Sequence, residues 1–381
     1  MKIVIFKSIV LIASIAILCQ CQTKQKGSHA KIVEVNGNEV IDCNISEVTD
    51  TIDLQLSEII KKCEVIPLET NESSLFESVY HIGISDNYIA VHSRGQMPIK
   101  LFNRKGKFIS DIGSVGRGPG EFNSLYGIQL DEIANRIYLT PFANAKEIIT
   151  YNLQGENLDG IPLIYKQTKC WVYVEKDIVT VLSMPFNNEI PVAYQQTIGG
   201  ELIQKLPVID HLILRPDFSS EVSSSRNVNG AYDIFVLPWG TESFDTLYHY
   251  NTKTNHLDPK YVSSFSDKKH GSWTYEWPNH YWSWIFGDKY KGTKVIVNKQ
   301  TLKSDFFKLK NDFYGGIEMN KFYMSNNGMF ISSISAIELI AAFEKALKND
   351  DLSSKERDKI ESLKKSLNEN DNEVLFVGEM F

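Results

Sequence analysis

Five stretches of the chain share one pattern, and that pattern limits the fold more than any other feature. Each stretch is an apolar strand, a turn of Asn, Lys or Gly, and a second strand. The copies are IKLFNRKGKFISDIG around Phe102, IITYNLQGENLDGIPL around Tyr151, PVAYQQTIGGELIQKLP around Tyr194, TLYHYNTKTNHLDPKY around Tyr250 and TKVIVNKQTLKSDFFKL around Val297. They recur at intervals of 49, 43, 56 and 47 residues. In Asn-Arg-Lys-Gly and Asn-Leu-Gln-Gly the glycine supplies the positive φ that a tight hairpin needs. Repeats of roughly 40–50 residues, each a small antiparallel sheet, are the sequence mark of propeller blades. Short strands punctuated by Gly, Asn and Asp, such as Tyr88–Val91, Arg136–Leu139, Trp171–Val174 and Val295–Val297, agree with a mainly β chain.

Five copies and one blade made from the two chain ends give six. A radial array of sheets exposes its first and last edges unless strands from both termini complete one blade. Val374–Val377 is a terminal strand suited to that role, and Cys63–Leu68 can supply its partner. The competing folds are an irregular β-sandwich and a pair of smaller β domains. The last third departs from the pattern. Apolar residues near i, i+3, i+4 and i+7 predict an amphipathic helix over about 332–348, and a Ser-capped, charged helix over about 353–368. Both read as an insertion in the last blade. The propeller is expected over 56–381, and 22–55 is expected to be a tether and N-terminal extension.

The first 21 residues, MKIVIFKSIVLIASIAILCQC, have the layout of a secretory signal: Lys2 and Lys7, then an apolar run too short for a typical membrane span. Leu18-Cys19-Gln20-Cys21 resembles a bacterial lipoprotein cleavage box, although Gln20 stands where a small residue is usual. Cys21 would carry the lipid. Plain secretion and a retained membrane anchor are the alternatives. The formal charge of −7 becomes −9 without Lys2 and Lys7, which argues against a nucleic-acid partner. Cys43, Cys63 and Cys170 then remain. Cys43–Cys63 is the nearest candidate disulfide, and three unpaired thiols are the alternative. No CxxC, HExxH, GxSxG or calcium loop occurs, so no metal, cofactor or catalytic residue is expected from a motif.

Two stretches carry the candidate site residues. Gly113–Phe122, GSVGRGPGEF, crowds four glycines around Arg117 and Glu121. It lacks the Gly-Lys-Ser/Thr ending of a phosphate loop and no helix follows, so it reads as a tight loop between blades, with ligand contact through Arg117 and Glu121 as the alternative. Gly271–Phe286 holds four of the six tryptophans. Large aromatics fill the gaps between blades. Alternatively they form a sugar-binding platform, with Trp273, Trp277 and His280 as its loop-like members. The remaining histidines are scattered without an i,i+4 ligand pair, and one or two of them, or Arg94, Arg104 or Arg117, could line a central channel.

The leader with Cys21, Leu68–Thr70 (LET), Gly113–Phe122 (GxxGxGPGEF) and Glu369–Leu375 (ENDNEVL) together resemble the six-bladed β-propeller lipoproteins of Bacteroides-like bacteria, distantly similar to NHL-repeat propellers. The resemblance spans roughly residues 55–381. This chain has Glu373 where relatives often carry Pro. The family implies a lipid-anchored cell-envelope protein, in the outer membrane, and supplies no catalytic residues. The expected function is binding of a ligand or envelope protein, with a glycan as one candidate. The rivals are a non-catalytic envelope scaffold docking through the helices, and a polysaccharide lyase or hydrolase at the channel mouth.

Overall fold

The computed structural model describes residues 28–381 except 94, 187–188, 208, 215–218, 228–229, 238–244, 267–269, 288, 291 and 324–327. The leader and Cys21 lie outside the described residues. Strands of the described residues form six sheets, each with a four-stranded antiparallel meander. We number the blades I (79–112), II (125–167), III (170–205), IV (221–264), V (271–311) and VI, which combines 322–334 with 374–379 and 64–67. Antiparallel alternation puts every turn between first and second and between third and fourth strands at one end of the ring. The connections from one blade to the next lie at the other end.

The five sequence repeats are the outer hairpins of blades I to V. Four of their five turns are led by an asparagine, and that of blade III by Thr197, whose Oγ1 accepts from Glu201 N at 3.1 Å. Asn103 Oδ1 accepts from the N–H groups of Lys105 and Lys107 at 2.9 and 3.0 Å, and Asn152 Oδ1 accepts from Gln154 and Glu156 at 3.0 and 2.9 Å. Asn251 and Asn298 make the same kind of turn in blades IV and V. In blades I and II the fourth turn residue is left-handed, Gly106 at φ +80° and Gly155 at +84°, and in blades IV and V the fifth, Asn255 at +49° and Leu302 at +58°. A side chain at Gly106 would collide with the Pro67 carbonyl of blade VI, so this turn also sets how closely two blades approach.

Blade VI closes the ring as the chain ends suggest. Val374–Glu379 pairs antiparallel with Glu64–Pro67, in the register Val374 to Pro67 and Val377 to Glu64. The family motifs meet here. Asn372 is buried; its Nδ2 donates to Glu69 O at 2.7 Å and Ser74 O at 3.0 Å, and its Oδ1 accepts from Phe76 N at 3.1 Å. Thr70 Oγ1 accepts from Asn372 N at 2.8 Å. Glu373 accepts from Val79 N, Ser333 Oγ and Lys321 Nζ, tying blade VI to blade I with bonds a proline could not make.

Between the second and third strands of blade VI run α1 (Ala336–Ala346) and α2 (Ser354–Lys365), capped by Ser335 and Ser353. Residues 332–334, expected to open the first helix, belong instead to the preceding strand. Ala336, Leu339 and Phe343 give α1 one buried face, while α2 buries Ile360 and leaves its charges in water. The N-terminal extension is less of a tether than expected. Ala30–Val35 and Asn38–Asn44 form a hairpin that adds in parallel to the outer edge of blade IV, and Thr51–Gln55 adds in parallel to blade V. Cys43, Cys63 and Cys170 are all free and buried, which corrects the Cys43–Cys63 candidate. Each belongs to a different packed layer, and burial pushes the Cys43 and Cys63 thiols up to about 12.

Replacing Asn372 by Ala takes away the side-chain partner of Ser74 O and Phe76 N and one of the two donors to Glu69 O, which keeps Ser74 Oγ at 2.7 Å. It is expected to cost about 2–4 kcal/mol, read as a lower urea midpoint with an unchanged slope. A loss under about 0.5 kcal/mol would contradict this role for the side chain.

Candidate functional site

The first strand of each blade runs along the ring axis, so side chains from six separate stretches of sequence converge there. At the end that carries the blade-to-blade connections they enclose a funnel of about 470 Å³. Aromatic rings dominate its wall: Tyr80, Tyr126, Trp171, Trp273, Tyr275 and Phe322, one or two from each of five blades, with Ser223 and Ser224 from blade IV. Strand alternation explains the wall, since Trp273 and Tyr275 are two apart and share a face. Their rings lie within 3° of parallel, and Tyr275 stacks on Trp282 behind it at 4.4 Å. Ile82 and Ile128 form the floor and also border a smaller cavity of about 100 Å³ beneath, where Arg226 and Glu175 pair at 2.8 Å.

The funnel carries little net charge. Its one wall carboxylate, Glu221, is held by buried Lys169 at 2.5 Å and lies 2.8 Å from the Tyr126 hydroxyl. Lys169 also donates to Ser220 O at 2.8 Å. Trp171 Nε1 donates to Val222 O at 2.8 Å, fixing the indole plane. Burial and the neighbouring Glu221 carboxylate both push the Tyr126 phenol well above its ordinary range. His81, on the wall, stacks on His92 with Nδ1 to Nδ1 at 3.1 Å, a contact in which one ring donates and the other accepts. Burial, then His92, pushes His81 down to about 3, and burial pushes His92 down to about 4, so both are neutral at pH 7. The result is a pocket of flat apolar faces with polar edges, suited to a neutral ligand that presents both.

A larger cleft of about 730 Å³ lies under α1. Its charges are already matched, Lys310 with Glu318 at 2.9 Å and Lys321 with Glu373 at 3.1 Å. It offers no comparable aromatic wall.

The sequence candidates separate in space. Trp273 is in the funnel wall. Trp277 is not a platform residue: it is 4% exposed and packs against Phe307, Phe322 and Phe330 between blades V and VI. Its strand ends at Glu276, so the two-residue alternation shared by Trp273 and Tyr275 stops before it. His280 is at the opposite end of the ring, bonded to Asn298 at 3.2 Å, and burial together with Lys299 pushes it down to about 4. Arg117 is exposed on the loop from blade I to blade II, at the funnel end. Glu121 turns onto its own loop and accepts from Gly118 N at 2.8 Å; a side chain at Gly116 would collide with that carboxylate. Gly113 and Gly120 have φ +75° and +77°. Arg104 pairs with Glu64 at 2.8 Å, away from the axis, and Arg94 is outside the described residues. His81 is one of the histidines that the sequence allowed to line a channel, whereas Tyr80, Tyr126 and Trp171 were not singled out because none belongs to an aromatic cluster in its own stretch. The only available signal was their shared place in the first strand of a blade.

A closed ring of six four-stranded blades with an aromatic axial funnel defines a six-bladed β-propeller. The chain belongs to the DUF4934 family, a domain of unknown function, whose model matches residues 38–379. No curated protein matches it in sequence. Among solved structures, it is similar to a Bacteroides fragilis protein described as exported, at 17% identity and TM-score 0.60, covering 86% of this chain and 99% of that one. It also aligns with a DUF4221 member from Bacteroides vulgatus at 11% identity and TM-score 0.46, covering 93% and 98%.

The neutral histidine pair has a consequence for stability. Unfolded histidine titrates near 6.5, so from about pH 6.5 down to 4 the unfolded chain binds protons that the folded pair refuses. Stability therefore falls as pH falls through that window. Between pH 7 and 5 the protein should lose about 1–2 kcal/mol more per histidine than a His81→Asn/His92→Asn variant, by urea unfolding at both values. Equal losses would contradict a neutral buried pair.

Proposed function

We propose that this protein is an envelope-anchored binding protein whose axial funnel holds a neutral, ring-bearing ligand, a saccharide being the best match. The observation that carries the reading is the wall itself: aromatic faces from five blades around a cavity whose single carboxylate is already neutralised. Pyranose rings present an apolar face and a hydroxylated edge, which the rings of Trp171, Trp273 and Tyr275 and the hydroxyls of Ser223 and Ser224 between them can match. A phosphorylated or polyanionic ligand would find no free cation in this wall among the described residues. Catalysis is disfavoured because both oxygens of Glu221 are engaged and because burial pushes His81 and His92, which are bonded to each other, well below neutral pH and leaves them weak bases.

Arg117, on the rim at the same end, is proposed as an outer contact; Glu121 serves the loop that presents it. Export follows from the leader, and lipidation at Cys21 would tether the domain to the envelope, with the outer membrane as the proposed location. The Bacteroides fragilis neighbour is likewise described as exported.

A thermal-shift screen of residues 21–381, with Cys21 changed to Ser, against neutral glycans tests the reading. A saccharide at a hundredfold excess over its Kd should stabilise the fold by about 2.7 kcal/mol. Trp273→Ala should weaken binding at least about tenfold. Trp284→Ala, at an exposed tryptophan outside the wall, should leave it unchanged. A shift that survives Trp273→Ala, or no shift with any neutral glycan, would refute the funnel as a saccharide site.

A further inference from the structure

At the end of the ring opposite the funnel, three ligating side chains meet between blades IV and V. Asp233 and His249 are cross-strand partners on the second and third strands of blade IV, and Glu276 ends the first strand of blade V. Their donor atoms all lie within 4.8 Å of one another. His249 Nε2 is 3.3 Å from Asp233 Oδ1 and 2.5 Å from Glu276 Oε2. Asn227 Nδ2 approaches the same two atoms of blade IV, at 2.9 Å from Asp233 Oδ1 and 3.3 Å from His249 Nε2. One imidazole nitrogen carries at most one proton, yet two carboxylate oxygens and an amide converge on it.

The other oxygen of each carboxylate is already engaged. Asp233 Oδ2 accepts from Ser225 Oγ at 2.8 Å. Glu276 Oε1 accepts from Lys299 Nζ, which is itself fixed by the carbonyls of Trp277 and Pro278 at 2.8 and 2.9 Å. Each carboxylate is thus oriented from outside while its inner oxygen points at a shared centre, the way outer partners aim ligands at a cation. The charge asks for one. Among the described residues Lys299 is the one ammonium bonded to these two buried carboxylates, and buried charge is costly unless it is fully paired. A void of about 20 Å³ beside the cluster borders Asn227 and Glu276, though not Asp233 or His249, and has room for one water.

We infer that Asp233, His249 and Glu276 bind a divalent transition cation of the zinc class, clamping blade IV to blade V. Imidazole nitrogen with carboxylate oxygen suits such ions. Bonds of about 2.0 Å in tetrahedral geometry set ligand atoms about 3.3 Å apart. The Asp233–His249 pair already has that separation, and Glu276 would withdraw by less than an ångström. The sequence reading expected no metal site, since these residues stand 16 and 27 positions apart on three strands.

The test is zinc titration of the purified protein after EDTA treatment and desalting, followed by calorimetry and metal analysis. One zinc per chain and a higher melting temperature are expected. His249→Gln and Glu276→Gln should each lose that ion, while His280→Gln, just outside the cluster, keeps it. Anomalous scattering from a zinc-soaked crystal of the unmodified protein provides a readout that no folding defect can blur; a peak between the three side chains is expected. No stoichiometric zinc, an ion retained by both His249→Gln and Glu276→Gln, or no peak at the cluster would overturn the inference and leave an ion-free hydrogen-bonded bridge. Each outcome is independent of whether the funnel binds a saccharide.

Discussion

The pairing of Glu64–Pro67 with Val374–Glu379 is the contact on which the rest of the molecule depends. It joins segments about 310 residues apart in sequence, and loop closure on that scale costs roughly 5 kcal/mol beyond the constant term. Ile66, Leu375, Phe376 and Val377 are each at most 2% exposed at the seam. Burying four such side chains contributes about 1.5–3 kcal/mol apiece, which exceeds the closure cost. The backbone ladder and the bonds of Asn372 and Glu373 then fix the register. A seam held only by apolar packing could slip by two residues and still bury the same face. The polar clamp gives that slip no alternative partners.

Closure is what turns six sheets into a site. Each blade presents its first strand to the axis, and only a complete ring brings those strands into one wall. The two ends of that wall differ in chemistry. The funnel end is aromatic and nearly neutral. The far end is built from charged pairs, Arg226 with Glu175 and Lys299 with Glu276, and holds the Asp233–His249–Glu276 cluster. The isoleucines Ile82 and Ile128 stand between them. The proposed ligand site and the proposed blade-to-blade clamp therefore lie toward opposite ends of the ring. Separate interactions of this kind respond separately to mutation when they share no partners.

Much of the architecture was legible because its signals are local. The outer hairpins repeat an apolar strand and a polar turn, led by Asn in four blades and by Thr197 in blade III, so blades I to V announced themselves, and the terminal strand with its partner at Cys63–Leu68 followed from the need to hide a sheet edge. The first helix showed its period and the second its Ser cap. What stayed hidden is non-local. The parallel addition of Ala30–Asn44 and Thr51–Gln55 to blades IV and V depends on which outer edges stay open, and nothing within those segments encodes it. Trp277 read as a sibling of Trp273 because both lie in one tryptophan-rich run, but the strand ends between them and sends the second ring into the core. The funnel's Tyr80, Tyr126 and Trp171 share no motif; they are neighbours only through the ring.

The central claim is that ligand binding belongs to the axis. Hydrogen–deuterium exchange with and without a saturating saccharide tests it most directly, since protection reports which backbone segments the ligand stabilises. The account predicts slowing concentrated in the first strands, Val79–Ile84, Leu125–Asp131, Cys170–Glu175 and Gly271–Glu276, with α1 and α2 unchanged. Slowing confined to the helices, the cleft beneath α1 or the outer blade edges, with the first strands unaffected, would contradict it.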